Sequence, residues 1–309
     1  MRQSRLVIVW MLCLSAFAGV ASVAEQKRQN PLKVLMIGNS FSVQMVTAMP
    51  PVAKDLDLGL DICSMYIAGC SLRRHWENIC APTTTPYNVT RCIDGIAAKA
   101  FSGNIPEVLT SEKWDVVTIQ QASYLSWRDE TYNPWGGNLV KYIREMLPSA
   151  KILVHETWSY TPWDKRLSDW KIDQDEMHKR LCLAYSDFAK QYGFDIIPTG
   201  TAVQLFRKRL PVKYAANSLG GDVVGSARFI EKDGKWEPQG DVCHMGPDGN
   251  YLQALVWTAK IFGVDVIKCK YAPKGMDSDR AEFLRRIAME AIKSFDGAGT
   301  RPVMNPQPL

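Results

Sequence analysis

The strongest constraint on the fold is a recurring unit, a short and continuous apolar run that stops at glycine or a polar pair and gives way to a helical pattern. Lys33-Val34-Leu35-Met36-Ile37 stops at Gly38, Leu60 to Ile67 at Ala68-Gly69, and Trp114 to Ile119 at Gln120-Gln121. Lys151 to His155 and Phe194 to Pro198 complete the set. Unbroken apolarity, as opposed to alternation, describes strands covered on both faces. Helical patterns lie between and after them, at 44–57, Ser71 to about Asn78, Gly137 to Met146, Asp173 to Tyr192, 200–208, Asp248 to Phe262 and Ser278 to Phe295. Pro50 and Pro51 should kink or divide the first. The alternation predicts an α/β chain, a three-layer α/β/α sandwich on a mainly parallel five-stranded sheet with right-handed crossovers. Residues 81–91, rich in Pro and Thr, read as loop, and the Asn88-Val89-Thr90 sequon with them. Residues 124–135 read as an aromatic loop, and 218–239 carry no clear element.

Open sheets of this kind bind ligands outside the carboxyl ends of their strands. Ser40, Gly69, Gln120 with Gln121, and His155 with Trp158 all fall just past a strand, so they are expected to share one rim. Ser40 sits at a strand-to-helix passage, where free N–H groups and the helix dipole favour a developing oxyanion. As a nucleophile it needs a base held in one tautomer. Among four histidines, His244 has Asp241 three residues before it, close enough to curl back onto one ring nitrogen. Ser42 is then the expected helix cap. A helix-capping role for Ser40 and an idle loop for Asp241 and His244 are the plain alternatives.

Gly38-Asn39-Ser40-Phe41-Ser42, Gly69, Gln120 and Asp241-x-x-His244 resemble the four conserved blocks of the SGNH, or GDSL, hydrolase superfamily. The stretches LMIGNSFS, WDVVTIQQAS, the tryptophan of HETWSY, and DVCHMGPDGNYLQA with the following IFG are similar, more narrowly, to the DUF4886 family. The resemblance spans about residues 32–263. It implies a flavodoxin-like fold over a domain at 32–297, with Ser40 as nucleophile and Asp241 and His244 as acid and base. The backbone N–H groups of Ser40 and Gly69 would form the oxyanion hole with a side-chain amide from Gln120, or from Gln121, where most members place an asparagine. Asn39, where an aspartate is usual, is expected to shape the turn beside the substrate.

The N-terminus carries Arg2 and Arg5, an apolar run from Leu6 to about Ala18 and small residues to Ala24. That is the pattern of a secretory signal peptide over 1–24, and its apolar run is shorter than the roughly 20 residues a span needs. A polar leader at 25–31 and a flexible tail at 298–309 flank the domain. Without residues 1–24 the net charge is +3, with no basic cluster, which gives no case for nucleic acid. Seven cysteines remain, an odd number; Cys80 with Cys92, or Cys70 with Cys80, are candidate bridges by proximity. His155-Glu156 lacks the second histidine of a metalloprotease helix, His75 beside Arg73 and Arg74 reads as polar surface, and no phosphate or dinucleotide loop is present. No metal or cofactor is expected.

The expectation is an exported, periplasmic or extracellular, serine ester hydrolase. Trp127, Trp135, Trp158 and Trp163 on the rim could stack on sugar faces, which makes an O-acetylated carbohydrate the leading substrate. A lipase- or thioesterase-type acyl hydrolase, and a non-catalytic glycan-binding module on the same fold, are the alternatives.

Overall fold

Residues 34–37 of β1 (Leu32–Gly38) are at most 1% exposed, as their unbroken apolarity requires of a central strand. In the computed structural model, which describes residues 30–81, 86–210, 222–225 and 228–296, β1 is the hub of the sheet. It pairs in parallel with β2 (Leu60–Tyr66), Leu35 opposite Cys63, and on its other side with β6 (Val116–Ile119), Leu35 opposite Val117. β7 (Lys151–His155) and β8 (Asp195–Ile197) continue the parallel series. These five strands, in the order β2-β1-β6-β7-β8, are the expected parallel sheet. The expected signal peptide and tail lie outside the described residues.

The sheet is nevertheless mixed. β3 (Tyr87–Ile93) adds antiparallel to β2, and β4 (Ile96–Ala97) and β5 (Phe101–Gly103) add to β3. The loop expected at 81–91 is therefore wrong from Tyr87 onward, and Asn88 lies on a strand. β3 alternates, with Tyr87 and Val89 buried and Asn88 exposed, because one face is open to water. Its period-two signal was hidden by the Pro and Thr before it. The 218–239 stretch likewise contains an antiparallel hairpin, β9 (Arg228–Lys232) with β10 (Lys235–Gln239).

Helix α1 (Met45–Asp55) keeps Pro50 and Pro51 inside one element, so the expected division does not occur. Around the sheet follow α2 (Leu72–Cys80), α3 (Ile105–Thr110), α4 (Trp135–Met146), α5 (Lys165–Asp169), α6 (Gln174–Tyr192), α7 (Thr199–Arg209), α8 (Pro247–Phe262) and α9 (Ser278–Asp296). α1, α7, α8 and α9 pack as one group, and α2, α3 and α4 as another. Every residue of α8 from Tyr251 to Ala259 is buried, because helices meet it from several sides. All seven described cysteines are free, so neither candidate bridge forms. Among the described residues no helix is long and apolar enough to cross a membrane.

The junction between the parallel and antiparallel parts is held by charge. Asp61 on β2, 2% exposed, receives Arg91 of β3 through Nε at 2.7 Å and Nη2 at 2.5 Å, and Glu112 accepts from the same guanidinium at 3.0 Å. Removing one partner of a buried pair leaves an uncompensated charge and costs about 3–5 kcal/mol, whereas apolar replacement of both can be neutral. Arg91→Met should therefore lower stability in urea unfolding by about 3 kcal/mol, and Asp61→Leu with Arg91→Met should recover most of it. Equal stability of the single variant and the parent would contradict this account.

Candidate active site

The chain leaves β1 at Gly38 and turns at once. Asn39 organises the turn: its side-chain Oδ1 accepts the Phe41 N–H at 3.0 Å, and its carbonyl accepts those of Ser42 and Val43 at 3.1 and 3.2 Å. A Cβ on Gly38 would lie 2.2 Å from the Ser42 Oγ, so a larger residue here would force the Ser42 hydroxyl out of its place against the Asn39 carbonyl. Regular helix begins only at Met45, and Gln44, with no side-chain cap bond, precedes it. Ser42 is thus not the helix cap. Its hydroxyl is buried against the Asn39 carbonyl at 3.4 Å. Ser40 stands half-buried at the crest of the turn.

Asp241 and His244 meet it there. His244 Nε2 lies 2.8 Å from Ser40 Oγ, and His244 Nδ1 lies 2.6 Å from Asp241 Oδ2. The other carboxylate oxygen accepts the backbone N–H groups of Cys243 and His244, both at 2.8 Å. The Asp-x-x-His spacing therefore closes a small ring in which the carboxylate faces its histidine. An ionised carboxylate can only accept, so Nδ1 carries the proton and Nε2 is left to take the serine's. Partial burial works to raise the Asp241 pKa, but these N–H groups and His244 bring it below the ordinary carboxylate value. The Cys243 sulfur, 3.6 Å from Nδ1, and the Asp241 carboxylate push the His244 pKa up to about 9 against the opposing effect of burial.

The histidine loop is carried by the segment after β7. Trp158 Nε1 donates to the Cys243 carbonyl at 2.8 Å, and Thr161 donates to the Val242 carbonyl through N at 3.3 Å and Oγ1 at 3.0 Å. The Phe41 ring stacks on Trp158 at 4.2 Å and sits 5.3 Å from the His244 ring. Trp158 is 1% exposed, so it braces the histidine and offers no face for a sugar.

Gly69 adopts φ +58°, a left-handed conformation that favours glycine, at the end of β2. Among the described residues neither the Ser40 N–H nor the Gly69 N–H makes a backbone hydrogen bond. The two glutamines are placed otherwise than expected. Gln120 is 2% exposed; its Nε2 donates to Asn39 Oδ1 at 2.7 Å and its Oε1 faces His155 Nδ1 at 2.7 Å. Gln121 accepts the N–H of Leu72 and donates to Thr131. Both amides are thus engaged in holding neighbouring segments, and Asn39 Nδ2 extends the tie to the Cys70 carbonyl at 2.9 Å.

The remaining aromatic residues divide by exposure. Trp127, 9% exposed, packs on Trp170, and Trp135 begins α4 under the Arg73 guanidinium. Tyr124, 41% exposed with its hydroxyl 3.5 Å from the Gly69 carbonyl, borders the site, and Trp163 is exposed after β7. His75 is buried, not surface, with Nδ1 2.8 Å from the Tyr87 hydroxyl. Glu156 faces Thr201 and Cys182, and burial pushes its pKa up to about 7.

Asp241, Cys243 and His244 are the one group of described residues whose donor atoms could surround a metal, all lying within 4.8 Å of one another. Two ligands of a tetrahedral zinc sit about 3.3 Å apart. The 2.6 Å contact between Asp241 and His244 is shorter, as suits a proton shared between them. Sequence reasoning missed Cys243, Thr161 and Gln253. Gln253 is a lone polar residue in the apolar run of α8, and that interruption was its only signal.

Residues 33–291 match the family described as "Domain of unknown function (DUF4886)", and the chain belongs to that family. No curated protein matches it. Among solved structures it is similar to a DUF4886 family protein from Bacteroides uniformis ATCC 8492, with 26% identity and a TM-score of 0.74 over 90% of this chain and all of the other. A candidate SGNH hydrolase from Slackia heliotrinireducens matches at 21% identity and a TM-score of 0.49, over 75% of this chain and 100% of that one. Axe2, an acetylxylan esterase from Geobacillus stearothermophilus, matches at 13% identity and a TM-score of 0.45, over 78% and 98%.

The raised His244 pKa has a definite sign. Protonated His244 favours the folded state; that contribution is complete below the ordinary value of 6.5 and is lost as pH rises through about 9. An NMR titration of the His244 ring should show its midpoint near 9 and stability declining over the same window. A midpoint at or below 6.5 would contradict the assigned contacts.

Proposed function

We propose that this member of the DUF4886 family is a serine ester hydrolase working through an acyl-enzyme, and the observation that carries the reading is the Ser40–His244–Asp241 alignment at 2.8 and 2.6 Å. His244, oriented by Asp241, takes the Ser40 proton as the oxygen attacks an ester carbonyl. The N–H groups of Ser40 and Gly69 receive the negative oxygen, a contribution of about 3–4 kcal/mol per donor in comparable sites. His244 then protonates the leaving alcohol. A water activated by the same ring releases the acid and restores Ser40.

The substrate we propose is an O-acetyl group on a carbohydrate, met outside the cytoplasm after export on the N-terminal signal pattern. The stacked rings of Phe41 and Trp158 pack against one side of His244, and we take the acyl group to be small. Trp127, Trp135, Trp158 and Trp163 were the expected sugar platform. Trp127 and Trp158 are buried, which leaves Trp135, Trp163 and, next to Gly69, Tyr124 as the candidates to face a sugar ring.

Acetate release from a panel of acetylated xylans, pectins and sialosides tests the reading. The parent should release acetate from at least one of them. Ser40→Ala and His244→Ala should each lose about 10⁴-fold or more in rate while remaining folded. Full turnover by either folded variant would overturn the mechanism, and refusal of every glycan beside cleavage of long-chain esters would overturn the substrate. The rate should also rise with pH toward 9, because His244 acts as base only when neutral; a flat profile from 6 to 9 would contradict its role.

A further inference from the structure

Four polar side chains are buried beneath the turn that carries Ser40. Asn39 and Gln120 are 2% exposed, Gln253 is 1% and His155 is 0%. They come from the ends of β1, β6 and β7 and from the middle of α8, yet their bonds close a ring around the peptide groups of Phe41, the residue after Ser40. Asn39 Oδ1 accepts the Phe41 N–H at 3.0 Å and Gln120 Nε2 at 2.7 Å. Gln120 Oε1 meets His155 Nδ1 at 2.7 Å, His155 Nε2 lies 3.5 Å from Gln253 Nε2, and Gln253 Nε2 donates to the Phe41 carbonyl at 2.8 Å.

Either flip of an amide fills the same space, so its polarity is set by its neighbours. The Phe41 N–H can only donate and the Cys70 carbonyl can only accept, which fixes Asn39 with Oδ1 toward the first and Nδ2 toward the second. Gln120 must then offer Nε2 to Asn39 and Oε1 to His155. His155 must in turn carry its proton on Nδ1 and leave Nε2 as an acceptor toward Gln253. Burial agrees with a neutral ring, since it pushes the His155 pKa down to about 3.

We infer that His155 is a positioning residue for the reaction, holding Gln120, and through Gln120 and Asn39 the Phe41 peptide and the Cys70 carbonyl, so that the Ser40 and Gly69 amides converge on one point. The inference rests on the hydrolase reading above. It also gives Gln120 a role distinct from that of oxyanion donor. A side chain that merely fills the core would affect folding and leave turnover per folded molecule unchanged.

His155→Leu removes the donor, His155→Asn keeps an N–H near the Nδ1 position, and Gln120→Glu sets an acceptor against Asn39 Oδ1. Turnover of p-nitrophenyl acetate, measured well below the melting point of each variant, should fall about 10²-fold in kcat for His155→Leu and Gln120→Glu, the size of losing one oxyanion donor. KM should stay within about twofold, and His155→Asn should recover at least tenfold of the loss. In the parent, ¹⁵N spectra should show, beside the neutral rings of the buried His75 and His178, a neutral imidazole with its proton on Nδ1 that disappears in His155→Asn. Parental kcat in folded His155→Leu, or a His155 ring protonated on Nε2, would overturn the inference. An inactive parent would overturn the hydrolase reading instead, and the tautomer would still decide the polarity of the ring.

Discussion

The contact between Ser40 Oγ and His244 Nε2 joins residues 204 positions apart, and most of the architecture is a means of making it. A hydroxyl and an imidazole at 2.8 Å are useful only if neither can drift, so each is held by its own backbone and by buried partners. The serine side is fixed at the end of the central strand, where the Asn39 carboxamide ties Phe41, Gln120 and Cys70 together. The histidine side is a surface loop that would wander alone. It is pinned by Asp241 to its own backbone and by Trp158 and Thr161 to the segment after β7. The stacking of Phe41 on Trp158 then joins the two halves through apolar contact.

The electrostatics divide along the same line. Beneath the serine Asn39, Gln120, His155 and Gln253 are neutral and hydrogen-bonded, which suits a low-dielectric interior where an unpaired group is costly. Above it, Asp241 and His244 are partly open to solvent and can hold charge, and the neighbouring carboxylate favours the imidazolium. In the proposed reaction a positive ring next to Ser40 is the state reached after proton transfer, so these charges would stabilise the product of that step more than its start and would place the working range of the base on the alkaline side.

Much of this was legible in the sequence where a single strong signal controlled the outcome. Five unbroken apolar runs read as covered strands, and they form the expected five-stranded parallel part of the sheet. Ser40 and the Asp241–His244 pair could be proposed because their chemistry and spacing are local. The antiparallel β3 was missed because Pro and Thr before Tyr87 outweighed a weak alternation, and its pairing with β2 is a tertiary choice. Gln120 was read as reaching the ligand from the resemblance, and Trp158 as a sugar platform from its place on the rim, and both readings met the same limit. Sequence position shows that a residue lies near the rim, whereas whether its side chain points outward or down depends on neighbours such as His155 and Cys243 that come from elsewhere in the chain.

The central claim, that Ser40 is an activated nucleophile, is tested most directly by treating the folded protein with a fluorophosphonate and locating the adduct by peptide mass spectrometry. The account predicts one phosphonyl group per chain, on Ser40, with labelling suppressed in His244→Ala. Absence of labelling in the parent, or an adduct on another serine with Ser40 untouched, would contradict it.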